Sequence, residues 1–261
     1  MVVFLVFLVC FAASVVGSIC GIGGGVIIKP VLDAFGIMDV STLSFLSGCT
    51  VLSMTTYSVI RSRAGGASSF DRSTGLPMAL GAALGGIVGK QLFQVVKGMS
   101  ADPNRMGAIQ AACLLVVTLG TLVYTVFKAR IPTHRMANTA ACAVIGFFLG
   151  ILSSFLGIGG GPINLVVLFF FFSMDTKTAA ENSLYIIFFS QLASLAASIL
   201  TRSVPSFSLG MLCLMAGGGI LGGAFGRSVN KKLDSQAVDK LFIALMILMI
   251  LINIYNIRKF L

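Results

Sequence analysis

The chain reads as a succession of long apolar runs separated by short polar and basic breaks. Mostly apolar runs lie at roughly 2–20, 41–60, 75–96, 106–127, 137–156, 177–200, 206–226 and 238–257. Each is about 20 residues long, enough to cross a bilayer core. None shows the two-residue alternation of a barrel strand. The expected fold is therefore an all-α polytopic membrane protein, in which every span satisfies its own backbone. Two further segments are too short to cross. Val26 to Phe35 and Pro162 to Phe172 would each extend about 15 Å as helix, half a bilayer.

Each short segment follows the same five residues, Gly21-Ile22-Gly23-Gly24-Gly25 and, 136 residues later, Gly157-Ile158-Gly159-Gly160-Gly161. Met38-Asp39 returns as Met174-Asp175 at that same offset of 136. Leu84-Gly85-Gly86 with Gly89-Lys90 returns as Leu221-Gly222-Gly223 with Gly226-Arg227 at 137. These landmarks divide a single transport domain, 1–261, into repeat one, 1–128, and repeat two, 137–261. Apolar runs interrupted at matching places in two halves point to a transporter site between them.

Loop charge bears on how the repeats are related. Suppose the run before each glycine cluster and the short segment after it form a hairpin. Each repeat then makes an odd number of crossings, and the second is inverted. One side carries Arg61, Arg63, Arg72, Lys128, Arg130, Arg135, Lys177, Arg227, Lys231, Lys232 and Lys240, eleven cations in all. The other carries six: Lys90, Lys97, Arg105, Arg202, Arg258 and Lys259. If the pair is instead one interrupted crossing, the repeats are parallel and the same cations divide 9 to 8. The positive-inside rule selects two inverted repeats, each a hairpin pair plus three full spans, with both termini outside the cytoplasm.

Composition removes other function classes. A mean hydropathy of +1.03 with only 10% charged residues leaves almost nothing for a soluble domain. The net charge of +10 would suggest a nucleic-acid partner in a soluble protein. Here the cations sit mainly between spans, where they orient the chain and meet lipid headgroups, so no nucleic acid is expected. Residues 1–20 have no basic leader and their pattern recurs at 137–156, so they read as a first span rather than a removed signal. The six cysteines all lie in apolar segments without CxxC spacing, which supports neither disulfides nor zinc. Cys20 and Cys49 are the two worth following, and Cys20 abuts the first glycine cluster. The one histidine, His134, lies in a charged loop. No nucleophile–base set or ATP loop is visible, so neither catalysis nor a resident cofactor or metal is expected.

The glycine clusters carry the candidate chemistry. Gly23, Gly24 and Gly25 leave backbone N–H groups uncovered, and a helix starts directly after them. Its first N–H groups lack intrahelical partners and carry the positive end of the dipole. Gly159, Gly160 and Gly161 repeat the arrangement before Pro162, which suits a helix start. Together they make a cradle for an anion that needs no charged side chain. The plainer alternative is that the glycines only permit close packing. A nucleotide loop would require a preceding strand, and none is present.

Other polar candidates surround this motif. Lys29, one turn into the first short helix, either neutralises an anionic substrate or snorkels to the interface. Asn164 is placed to donate to an oxyanion. Ser47, Ser183, Tyr185 and Gln191 either line a pathway or bridge helices. Glu181 either carries a coupling proton or cation or simply suits a helix N-terminus. Asp39 and Asp175 read as helix caps.

The two Gly-Ile-Gly-Gly-Gly clusters, each followed by a short apolar helix, an Asp-containing turn and a Ser/Thr-bearing span, resemble the TauE/SafE family of sulfite-exporter-like permeases. The resemblance covers nearly the whole chain. It implies a carrier in the plasma (inner) membrane for sulfite, thiosulfate or organosulfonates, with proton or sodium coupling as options. In the family the span after the short helix often opens with an Ala-Thr-Ser-like triplet. The matching positions here are Glu181-Asn182-Ser183 and Phe45-Leu46-Ser47, so only the serines carry over. An anion channel of the same architecture and a membrane-embedded enzyme are the competing expectations.

Overall fold

The computed structural model describes residues 2–64, 72–99, 103–136 and 138–261, the side chains of Pro103 and Ala129 excepted. Asp71 and Asp102, which the connectors carry, lie outside the described residues. So does Ala137, where the second repeat was expected to begin.

The described residues form helices joined by short turns. They are α1 (Val2–Cys20), α2 (Gly25–Phe35), α3 (Val40–Ala64), α4 (Arg72–Gly98), α5 (Pro103–Phe127), α6 (Thr139–Leu156), α7 (Pro162–Phe172), α8 (Thr176–Leu200), α9 (Leu209–Asn230) and α10 (Ser235–Phe260). Eight are long and apolar enough to cross a membrane. The other two, α2 and α7, have 11 residues each. The protein is thus an all-helical, multi-pass membrane protein. Stripes such as Leu80, Leu84 and Val88 on α4 and Ile247 and Leu251 on α10 stay exposed, as lipid-facing surface requires.

Helix ends follow capping chemistry more than hydropathy. The Asp39 carboxylate accepts from Thr42 N–H at 3.0 Å, Asp175 from Lys177 and Thr178, and Asp234 from Ala237. The span expected from 137 begins at Thr139 because Asn138 caps it, accepting from Ala140 N–H at 2.9 Å. At Asp175, burial pushes the carboxyl pKa up. Hydrogen bonds from the Thr178 hydroxyl and from the Thr178 and Lys177 N–H groups outweigh this and hold it below its ordinary value. The cap therefore contributes stability above the ordinary carboxylate range and loses it as pH falls through the depressed value.

Glycine contacts fix how the helices pack. Gly81, Gly85 and Gly89 of α4 lie on the backbone of α6 at Ala143, Phe147 and Ile151. Gly218, Gly222 and Gly226 of α9 lie on α1 at Phe7, Phe11 and Val15. Adding 137 to the first glycines and subtracting 136 from their partners turns one set into the other. Such bare faces let helix backbones approach closely where lipid gives little drive to associate. Residue numbers rise together in both pairs, so each pair is parallel. Gly219 against Thr50 and Gly223 against Met54 make α9 parallel to α3 as well. In contrast, α3 meets α8 antiparallel, with Gly48 beside Gln191 and Ser62 hydrogen-bonded to Glu181. Helix α5 runs antiparallel to α10, from Gly107 beside Phe260 to the Lys128–Asp239 ion pair at 2.6 Å.

Candidate functional site

The two glycine linkers meet at mid-depth, between the centres of α3 and α8. Helix α1 ends at Cys20 and the chain turns back on it: Ile22 N–H bonds the Gly17 carbonyl at 3.1 Å, and Gly24 sits against Ser14. A Cβ at Gly25 would overlap the Ile158 carbonyl of the other linker. Gly161, the equivalent of Gly25, makes no such contact, but the packing of the linkers on α3 and α8 is reciprocal. Gly21 packs on Ala180 of α8, and Gly157, 136 residues later, packs on Ser44 of α3. Gly23 faces Ile187 and Gly159 faces Val51, again 136 apart. Gly23 and Gly159 share a left-handed backbone, with φ of 74° and 72°, which a side chain would strain.

The glycines have two structural consequences. They allow close packing, and they leave donors free. Among the described residues no protein group accepts from the N–H of Gly24, Gly25 or Val26, nor from that of Gly160, Gly161 or Ile163. Buried hydroxyls add to this. Ser47 and Ser183, equivalent at 136, are both 0% exposed, and their Oγ atoms have no partner. They share helix faces with the residues that touch the linkers: Ser44, Ser47 and Val51 on α3, and Ala180, Ser183 and Ile187 on α8. Asn164 is 1% exposed, and its Oδ1 is likewise unpartnered. It borders a cavity of about 10 Å³ with Ser153, Gly160 and Gly161. That is room for about one water.

Two further cavities lead away from the linkers, and the sequence marks them as equivalents. A cavity of about 310 Å³ is lined by Ser18, Lys177, Glu181, Arg227, Asn230 and Lys231, with Ala180 at its floor against Gly21. Here three cations face one carboxylate. Arg227 donates to the Ser58 carbonyl at 3.3 Å, while its buried Nε has no partner. The equivalents of Ser18, Ala180, Glu181, Arg227 and Asn230 are Ser154, Ser44, Phe45, Lys90 and Phe93. They line a cavity of only about 10 Å³ that ends on Gly157. Phe45 and Phe93 stand where the first cavity has Glu181 and Asn230. Lys90, 5.1 Å above the Phe93 ring, also borders an outer groove with Gln91, Gln94 and Thr201.

The remaining candidates lie apart from the linkers. Lys29 points away from them and pairs with Asp33 at 2.6 Å, both buried. Glu181 lies at the basic cavity, bonded by Ser62. Cys20 is fully buried. The vestibule cations were visible in the sequence, because Lys90 and Arg227 recur in register inside glycine-rich spans. Counted as topological charges, they were not assigned to a site.

The profile of the family described as "Sulfite exporter TauE/SafE" matches residues 6–252. A protein of Bacillus subtilis (strain 168), the "Probable membrane transporter protein YunE", is 21% identical over 253 residues, covering 87% of this chain and 88% of its own length. No solved structure matches the chain.

Proposed function

The chain belongs to the sulfite exporter TauE/SafE family of membrane transporters, and on that premise we propose that it is a secondary carrier of small sulfur-containing anions. Sulfite, thiosulfate or an organosulfonate binds at the paired glycine linkers. The observation that carries this reading is the meeting of two donor-rich linkers, packed reciprocally on α8 and α3, at the floor of a basic cavity. Backbone N–H groups of both linkers hold the oxyanion, aided by Ser47, Ser183 and Asn164. Lys177, Arg227 and Lys231 draw anions into the vestibule.

The two halves act as inverted repeats. The antiparallel register of α3 and α8, which occupy equivalent places, supports this. So does the grouping of Arg61, Arg63, Lys177, Arg227 and Lys231 at one end of the bundle, which makes that end cytoplasmic. The open vestibule and its shut twin are then the two mouths of one pathway, seen with the cytoplasmic mouth open. In the exchange of states the linkers part to admit the anion, while Phe45 and Phe93 move off the second mouth.

Flux in proteoliposomes tests the reading, with sulfite, thiosulfate and an alkyl sulfonate set against chloride and phosphate. Saturable uptake with counterflow of at least one sulfur anion is expected. Flux that grows linearly with concentration would mean a channel, and chemically altered solute would mean an enzyme. Intact protein that moves none of the sulfur anions sinks the proposal.

Two variants sharpen it. Arg227→Gln should lower uptake at limiting anion by about tenfold and flatten its dependence on ionic strength, because steering by the vestibule is a screened interaction. Phe93→Ala should raise passive leak of the substrate anion without a counter-solute, since Phe93 closes the second mouth. A leak equal to wild type would remove Phe93 from the pathway.

A further inference from the structure

One polar cluster is used by neither the linkers nor the vestibule. It lies along α2, in a small cavity shared with α5, α6 and α10. Lys29 Nζ and Asp33 Oδ2 are 2.6 Å apart, with side chains 3% and 7% exposed. Asn256 Nδ2 donates to the Pro30 carbonyl at 2.8 Å, and Gln110 Nε2 donates to the Phe155 carbonyl at 2.7 Å. These bonds fix both amides, since a flip would set oxygen against oxygen. Three buried acceptors therefore remain without partners at one cavity: Asp33 Oδ1, Gln110 Oε1 and Asn256 Oδ1. The ammonium at this cavity, Lys29 Nζ, bonds Asp33 Oδ2 and none of these three atoms, so a proton added among them would meet waiting acceptors.

The fold does not need this pair. Helix α7 has the same length as α2 and follows the same glycine motif, yet Leu165 and Phe169 stand where α2 has Lys29 and Asp33. Burying an ion pair in apolar surroundings is weak support for stability. Its presence in only one half calls for a role in function.

We propose that the Lys29–Asp33 pair is the proton-coupling switch of the carrier; this rests on the anion-transport reading above. A proton adds to Asp33 Oδ1. The new O–H donates to the amide oxygen of Gln110 or Asn256, satisfying two orphaned acceptors at once. The carboxyl becomes neutral and releases Lys29, which stands one turn along α2 from Gly25. The site gains one positive charge, and the arriving anion balances it. Proton and anion then favour each other's binding, as linkage requires. Gln110 ties this cavity to the carbonyl of Phe155, two residues before Gly157, so the switch touches both linkers. A sodium ion would sit beside the ammonium and be repelled by it.

The other ionisable groups nearby are few. From α10, Lys259 Nζ holds the carbonyls of Asp33 and Ala34, each at 3.0 Å. Helix α1 offers only the thiols of Cys10 and Cys20, and α5 that of Cys113, with Arg105 near its start and the Tyr124 phenol near its end. On the side of α3, Asp39 lies at its start and Arg61 and Arg63 at its far end. The α6 residue at the cavity is Leu156. Asp33 is the carboxyl in reach.

The test uses the full chain in proteoliposomes with the membrane potential clamped at zero and radiolabelled thiosulfate, which stays unprotonated near neutral pH, as probe. A one-unit inside-alkaline gradient should drive about tenfold accumulation in wild type at one proton per anion. Asp33→Asn should exchange thiosulfate across the membrane but lose the accumulation. Should that variant fail to fold, Lys29→Gln with Asp33→Asn, neutral and close in shape, carries the same expectation. Wild type should also take up protons from weakly buffered medium as thiosulfate is added. Accumulation that survives in either variant, or thiosulfate binding without proton uptake, overturns the inference while leaving anion transport standing. Wild type inert toward thiosulfate, sulfite and sulfonate overturns the transport reading, and the switch with it.

Discussion

Gly161→Ala is expected to cost about tenfold or more in affinity for the transported sulfur anion while the protein stays folded. Gly161 is the one cluster glycine where that separation is possible. Its φ of −164° is ordinary extended backbone, open to any residue. A Cβ there would meet only the Ile158 Cδ1 atom, at the ordinary contact distance of 3.4 Å. The added methyl nevertheless stands beside the free N–H groups of Gly161 and Ile163, where the oxyanion must come within about 3 Å. Gly160 is a poorer probe, because its φ of 130° and its contact with Ile187 make a valine disruptive in its own right. Binding of sulfite or thiosulfate to purified Gly161→Ala, measured beside its thermal unfolding, decides the matter. Unchanged affinity in a folded variant means that the glycines serve packing alone.

Gly25→Ala should do the opposite and destabilise the fold by about 3 kcal/mol or more. The new Cβ would overlap the Ile158 carbonyl and come within 2.9 Å of a Val51 methyl. Neither obstacle is the end of a flexible chain. Ile158 is backbone in the opposing linker, and Val51 is 0% exposed at the centre of α3. Relief would require the two linkers to separate where they touch. The variant is expected to lose its monodisperse peak in detergent and its cooperative melt. The equivalent change, Gly161→Ala, should not, so one pair of substitutions at matched positions tests both roles of the motif. A Gly25→Ala protein as stable as wild type would show that the linkers already part readily.

The asymmetry between the halves gives these residues their meaning. Matched positions keep what the backbone needs: Gly23 with Gly159, Gly21 with Gly157, Ser47 with Ser183. Unmatched positions hold the chemistry that differs between the two cavities and along the half-helices. Glu181 and Asn230 answer to Phe45 and Phe93, and Lys29 and Asp33 answer to Leu165 and Phe169. Under the proposed reading, such differences let a coupling ion be taken at one place only.

The sequence by itself determined the eight spans, the two half-length helices and the paired glycine motif. Hydropathy and a repeat offset are local properties, and a bilayer leaves an apolar run few alternatives to a helix. Capping at Asn138, Asp175 and Asp234 moved the ends by a few residues, because a side-chain oxygen stops a helix more sharply than a change in hydropathy does. Packing across the two halves was settled only by the tertiary structure. That Gly25 abuts Ile158, that Arg227 and Lys231 share a cavity with Glu181, and that Gln110 and Asn256 meet beside Asp33 all depend on which helix faces meet. Helices α1 and α9 meet across more than two hundred residues of chain. Composition along a single helix carries no record of that partner, since lipid and a neighbouring helix are both apolar and exert the same demand on the residues that face them.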